Sequence, residues 1–316
     1  MTRSPETSTK PISVVIVTGP TAAGKTELGI RLAERFGGEV INADSMQVYR
    51  YMDIGTAKPS LEERARVPHH LFDIVTPDVD YSAGLYAKAA RAAIRDIDQR
   101  GRVPVLVGGT GLYIRAAVNG LIATGGADPV LRGQLEAEAE EAEAAGDAGR
   151  LHRRLAEFDP AAAEGIHPHD TRRTIRALEI IHQAGRRASD VRDDHSFGEE
   201  AFRSLHLAVD PGREIVSQRI EERCQKMIDA GLLREVRALR SRGYGPELRS
   251  MRGIGYRHVN PVADGRDTLA NALISMAADT RRFARRQRTW LRKVDQAVWL
   301  DPSQEEPIMD RVEGFL

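Results

Sequence analysis

The chain has 316 residues, 41% hydrophobic and 29% charged, a size and composition that fit one large or two ordinary globular domains and exclude collagen-like or wholly disordered chains. No apolar run approaches the ~18–20 residues that cross a bilayer, and the polar stretch Met1 to Pro11 lacks the apolar centre of a secretory signal and reads as a frayed tail. The 46 basic residues balance 46 acidic ones, so net charge gives no nucleic-acid signal, and the single Cys224 can build neither an internal disulfide nor a cysteine zinc cluster, as expected in a reducing cytoplasm.

In chain order, Val14 to Val17 predicts a buried strand, followed by a Gly- and Thr-rich turn and a helix over Glu27 to Phe36. Val40 and Ile41 start a second strand that ends in Asn42-Ala43-Asp44-Ser45. A helix capped by Ser82 runs to Arg100, stops at Gly101, and leads into the strand Val103 to Val107, closed by Gly108-Gly109. From Asp128 to about Gly185 strand signals vanish and the composition turns to Ala, Glu and Arg, as in a helical insertion. Leu205 to Val209 reads as a returning strand, Ile215 to Leu239 as one long helix stopped near Gly243, and Thr268 to Lys293 as a helical C-terminal section. Alternating strands and helices predict an α/β fold with a parallel sheet, its core formed by residues 11–120 and 203–300 and interrupted by a helical insertion at 121–202. Charge is segregated: Glu136 to Glu143 is acidic, whereas Arg281 to Lys293 carries seven basic residues and no acid, which points to a local polyanion site.

Gly19-Pro20-Thr21-Ala22-Ala23-Gly24-Lys25-Thr26 fits the phosphate-loop pattern and lies between a strand and a helix, as that motif requires. Its glycines let backbone amides and the helix N-terminus surround an anion. Lys25 adds charge, and the Thr26 hydroxyl can ligate Mg²⁺. An ATP-hydrolysing site would also offer an acid at the end of an apolar strand, but Val103 to Val107 ends in Gly108-Gly109-Thr110-Gly111. The loop therefore binds a phosphate ester without looking built for ATP hydrolysis, and a P-loop kinase of a small metabolite stands as the competing reading. Asp44 follows a strand whose carboxyl end converges on the ligand crevice, making it a candidate general base; the alternative is that Asp44 and Ser45 cap a turn. Gln47 and Tyr49 could read a base edge, although Tyr49 could equally be core. His69, His70, His167 and His169 have no supporting cluster and read as caps or loop contacts rather than metal ligands.

Gly19 to Thr26, Asp44 to Tyr49, Asp53 to Pro59, His69 to Asp73, Gly108 to Tyr113, Arg176 to Glu179, Gly255 to Arg257 and Arg285 to Arg292 resemble, in order, the signature segments of bacterial tRNA dimethylallyltransferases. Ala23 departs from the Ser most often expected in the loop, which matters little where backbone amides do the binding. The resemblance implies a P-loop core with an insertion that clasps the tRNA anticodon stem-loop. It implies transfer of a dimethylallyl group from dimethylallyl diphosphate to N6 of adenine 37 in tRNAs reading codons that start with U, by a cytoplasmic monomer with no membrane partner.

On that resemblance Asp44 accepts an N6 proton, because an adenine amine is a weak nucleophile. Lys25, Mg²⁺ on Thr26, the amides of Gly19 to Thr26 and an arginine of the returning helix, Arg219 in preference to Arg223, hold the departing diphosphate. The helix arginine reads equally well as part of a solvated face. Implied tRNA contacts are Asp44, Ser45, Met46, Gln47, Thr110, Arg132, Arg172, Arg173, Arg176, Arg252, Tyr256, Arg257, Arg285, Arg286, Gln287, Arg288, Thr289, Trp290 and Arg292. Arginine forks suit phosphates and Trp290 could stack on a base, although a lone Trp is more often a core anchor.

Overall fold

The computed structural model describes residues 11–121, 128–195 and 202–316. Residues 1–10 of the expected tail, and residues 122–127 and 196–201 of the expected insertion, lie outside these. The chain forms two compact units, one from the described residues of 1–119 and 200–316 and one from those of 120–199.

The first unit opens with β1 (Ser13–Thr18), α1 (Lys25–Phe36), β2 (Gly38–Asn42), α2 (Leu61–Arg66), the two-residue β3 (His69–His70), α3 (Ala83–Gln99), β4 (Val103–Gly108) and α4 (Gly111–Asn119). After the second unit come β5 (Arg203–Val209) and further helices, numbered below. Among the described residues six strands, the last being β6 (Val298–Leu300), pair in parallel in the order β3-β2-β4-β1-β5-β6. Parallel strands covered on both faces need apolar residues at every position, and β1 supplies them: Val14 and Ile16 enter one core with Tyr86, Ile94 and Ile114, while Val15 and Val17 enter the other with Leu28, Ile30 and Leu32. Ser82 caps α3 by accepting a hydrogen bond from the amide of Leu85.

The described residues of the second unit form helices and no strand: α5 (Pro129–Ala144), α6 (Arg150–Phe158), α7 (Pro160–Glu164), α8 (Thr171–Ala184) and α9 (Ala188–His195). It has its own core, with Leu135, Leu151, Leu155 and Leu178. Buried Asp159 caps α7 and accepts from both the amide and the hydroxyl of Ser189.

Back in the first unit, the single helix expected over Ile215 to Leu239 is two: α10 (Arg213–Asp229) and α11 (Leu232–Ser241), broken at Gly231. Gly231 has φ +99°, a left-handed conformation that lets the chain turn where a side chain would be strained. A 3-10 turn at Ser250–Arg252, α12 (Tyr256–Ala263), α13 (Leu269–Leu291), β6 (Val298–Leu300) and α14 (Glu305–Phe315) complete the unit. The last of these extends the core past residue 300, with Ile308 and Val312 of α14 in one cluster with residues of β1 and α1. Among the described residues no helix is long and apolar enough to cross a membrane.

Candidate active site

The loop after β1 sits at the carboxyl edge of the sheet, where β1 is flanked by β4 and β5. Gly19 can carry no side chain, because a Cβ would lie 2.2 Å from the carbonyl oxygen of Val209; Gly24 has φ +96° and opens α1. The Lys25 ammonium donates to the Pro20 carbonyl at 2.8 Å, closing the loop on itself. Burial and the Arg223 guanidinium lower the Lys25 pKa to about 8, partly opposed by the Asp44 carboxylate.

Asp44 follows β2 across β4. Gly108 makes this possible: a Cβ there would stand 2.2 Å from the Ala43 carbonyl oxygen, so only glycine lets the two chains approach. The acid that a hydrolase would carry at the end of β4 therefore has no room at Gly108. Asp44 forms a turn and also faces a cavity. Its Oδ1 accepts from the Met46 amide at 2.8 Å, and the residue lines a cavity of about 70 Å³ with Thr21, Lys25, Thr26, Gln47 and Arg223. The turn is braced by Thr110, whose hydroxyl accepts from the Ser45 amide at 3.0 Å.

Of the two candidate arginines on α10, Arg223 enters this cavity and donates to the Thr21 hydroxyl at 3.0 Å. Burial lowers its pKa and the Asp44 carboxylate raises it. Arg219, preferred from the sequence, lines a separate cleft with Gly24, Ile215 and Asp301. One helical turn separates them, and of the two it is Arg223 that shares the cavity with Asp44 and Lys25.

The basic segment of α13 divides by helical period. Arg285, Arg286, Thr289 and Arg292 are exposed, whereas Gln287 and Arg288 are buried. Gln287 accepts from the Thr21 amide at 2.8 Å and donates to the Gly109 carbonyl at 3.0 Å, tying the phosphate loop to the end of β4. Arg288 forms a two-pronged ion pair with Asp210 at 2.6 and 2.8 Å. Both are thus buried and paired within the protein, and Gln287 also lines the cavity that holds Asp44. Trp290 lies against Gly111, where a Cβ would meet its ring at 2.2 Å, so the core-anchor reading fits it.

Tyr256 is likewise not a surface contact: it is fully buried and donates to Glu235 at 2.7 Å. Arg252 and Arg257 are exposed, the latter paired with Asp279. Met46 is half-buried beside Gly253, and Gln47 donates to the carbonyls of Thr56 and Ala57 at 3.1 Å. Tyr49 is buried core.

In the helical unit, Arg132 grips the fully buried Glu179 with two bonds of 2.8 and 2.6 Å, and Arg176 adds a third of 3.2 Å. Arg172 and Arg173 are exposed on the outer side of α8, with Arg173 3.4 Å from Asp170. Of the histidines, His70 pairs with Glu39 and the His167 ring accepts from the amide of His169. His69 bonds the Val67 carbonyl, a loop contact as its sequence reading has it, and lines the cavity that holds Asp44 together with Phe72.

Family models match most of this chain: IPP transferase over residues 47–294 and isopentenyl transferase over residues 12–69. A tRNA dimethylallyltransferase of Geobacter metallireducens is 48% identical over 96% of this chain and 97% of its own length. One of Anaeromyxobacter dehalogenans is 47% identical over 95% and 99%. The crystal structure of a full-length tRNA isopentenylpyrophosphate transferase of Bacillus halodurans superposes with a TM-score of 0.71 at 37% identity, covering 97% of both chains. A eukaryotic dimethylallyltransferase captured acting on tRNA matches with a TM-score of 0.81 at 30% identity, over 95% of this chain and 77% of that one. With this fold, this loop and these relatives, the chain belongs to the IPP transferase family, that of the tRNA dimethylallyltransferases.

Proposed function

We propose that this protein transfers the dimethylallyl group of dimethylallyl diphosphate to the exocyclic N6 of adenine 37 in tRNAs reading codons that start with U, acting as a cytoplasmic monomer. The observation that carries the reading is the shared cavity: the Asp44 carboxylate and the cations Lys25 and Arg223 line one small space at the mouth of the phosphate loop.

The chemistry follows from that juxtaposition. The N6 lone pair attacks the allylic carbon, the carbon–oxygen bond breaks, and its electron pair leaves on the diphosphate. Asp44 takes the N6 proton; its Oδ1 is held by Met46, which fixes the carboxylate while Oδ2, with no hydrogen-bond partner among the described residues, receives the proton. Lys25, Arg223 and the loop amides hold the charge that grows on the leaving group, an interaction stronger in the transition state than before it. Thr21, oriented by Gln287 and Arg223, adds a polar contact.

Mg²⁺ fits the donor set here, since it prefers oxygen ligands and completes its shell with substrate phosphates. Thr26 would hold it, and among the described residues no group of three or more His, Cys, Asp or Glu offers a cage elsewhere. When bound, the ion would supply positive charge that offsets the negative charge of the diphosphate.

The target base must leave its stack, at a cost of a few kcal/mol. Phosphate contacts from the exposed Arg285, Arg286 and Arg292 of α13, from Arg252, and from Arg172 and Arg173 of the helical unit offset that cost. Incubation with radiolabelled dimethylallyl diphosphate and unmodified tRNA tests the reading: label should appear on the RNA. Labelled phosphate passing instead from ATP to a metabolite would establish the kinase alternative.

A further inference from the structure

The loop after Met52 carries two walls of the reaction cavity, Ala57 and Pro59, and its carbonyls at Thr56 and Ala57 anchor the Gln47 amide. Gln47 lies three residues beyond Asp44 and lines the same cavity. Whatever fixes this loop therefore fixes the ceiling over the carboxylate.

One side chain from a distant helix does so. Glu235 on α11 accepts the amide of Asp53 at 3.0 Å and that of Ile54 at 2.8 Å on Oε2. On Oε1 it accepts the amide of Gly55 at 3.1 Å and the Tyr256 hydroxyl at 2.7 Å. Three consecutive backbone N–H groups thus converge on one carboxylate, the arrangement by which a loop binds an anion. Close packing makes the fit specific: a Cβ on Gly55 would lie 2.5 Å from the Tyr256 ring. At the other end, the buried Lys58 ammonium bonds Asp53 at 2.7 Å and Asp73 at 2.6 Å.

The geometry points to Glu235 as a positioning residue for the transfer reaction, one that touches no substrate and sets the cavity wall over Asp44 by clamping the 53–57 loop. Its negative charge is what the role requires. An ionised carboxylate can accept four donors, whereas an amide of the same shape offers one acceptor oxygen and turns an N–H toward N–H groups. The turn at Gly231 is part of the device, because it starts the helix that carries Glu235.

This inference rests on the proposed reaction, and the experiment separates the two. The Glu235→Gln and Tyr256→Phe variants are compared with the wild type for kcat, for KM toward dimethylallyl diphosphate, and for amide hydrogen exchange. In Glu235→Gln, kcat should fall about tenfold or more, the scale of a slightly misplaced reacting group, with KM for the diphosphate nearly unchanged. Exchange at Asp53, Ile54 and Gly55 should quicken by about tenfold while β1 and β4 keep their protection. Tyr256→Phe removes one donor and leaves the three amides held, so exchange at these positions should stay slow and kcat close to wild type. Wild-type kcat in Glu235→Gln, or a loss accompanied by equal loosening of β1, overturns the inference. Should Glu235→Gln fail to fold, the wild type still decides: rapid exchange at the three amides overturns the clamp, and slow exchange together with retained protection in Tyr256→Phe supports it. A wild type that puts no label on tRNA sinks the reaction itself, and the exchange data would still report on the clamp.

Discussion

The guanidinium of Arg223 lies 3.0 Å from the hydroxyl of Thr21, joining a helix late in the chain to the first loop of the sheet. Removing that charge should be felt mainly when the diphosphate departs. Arg223→Gln should lower kcat by about a hundredfold, as loss of one preorganised donor to a developing anion does. Arg219→Gln should change it by no more than about threefold, since a group at a partly solvated cleft contributes under about 1 kcal/mol. Single-turnover rates with saturating tRNA check both, and equal losses in the two variants would refute the assignment.

Asp44→Asn keeps the size of the side chain and its turn-forming oxygen while removing the base. The rate of transfer should drop by about a hundredfold or more, the usual contribution of general-base catalysis, with tRNA affinity in a filter-binding assay close to wild type. A variant that lost affinity and rate together would mean that Asp44 acts by holding RNA.

Lys25 brings a pH dependence. Burial and Arg223 hold its pKa at about 8, below the ordinary lysine range. The folded protein therefore presents a charged ammonium to the diphosphate below about pH 8 and a neutral amine above it, so affinity is complete on the acid side and fades as pH rises. KM for dimethylallyl diphosphate should climb above that point, and Lys25→Arg should remove the climb, because a guanidinium stays charged. A KM flat through pH 9 in the wild type would contradict this.

The two faces of α13 should separate binding from stability. Arg286→Ala, on the outer face, should reduce the salt slope of tRNA binding by about one and leave the melting temperature unchanged. Arg288→Ala leaves the half-buried Asp210 without its partner and should cost about 1–3 kcal/mol of stability, read from denaturant melts. Matching salt slopes in Arg286→Ala and wild type would remove that face from the RNA contact.

What the sequence made legible was whatever lies in local order. The apolar runs of β1 and β4, the glycines and Lys25 of the phosphate loop, the Ser82 cap and the loss of strand signal after Asp128 all depend on near neighbours. Which of Arg219 and Arg223 shares the cavity with Asp44 depends on the course of α10 in space, and spacing of one turn cannot distinguish them. The inward commitment of Gln287 and Arg288 was hidden because their partners, Thr21, Gly109 and Asp210, are remote in sequence. Some features carried unused signals: Ser60 and Glu63 form a capping box that announces α2, and Gly231 marks the break between α10 and α11.

The contact between Gly108 and the Ala43 carbonyl sets how near the two halves of the site can come. Adding a single methyl at position 108 would push the end of β2 outward and take Asp44 with it. A carboxylate installed there, where a nucleotide-cleaving enzyme keeps one, would displace Asp44 from the phosphate loop. In this fold the two chemistries compete for one volume, and the missing atom at Gly108 leaves it to group transfer.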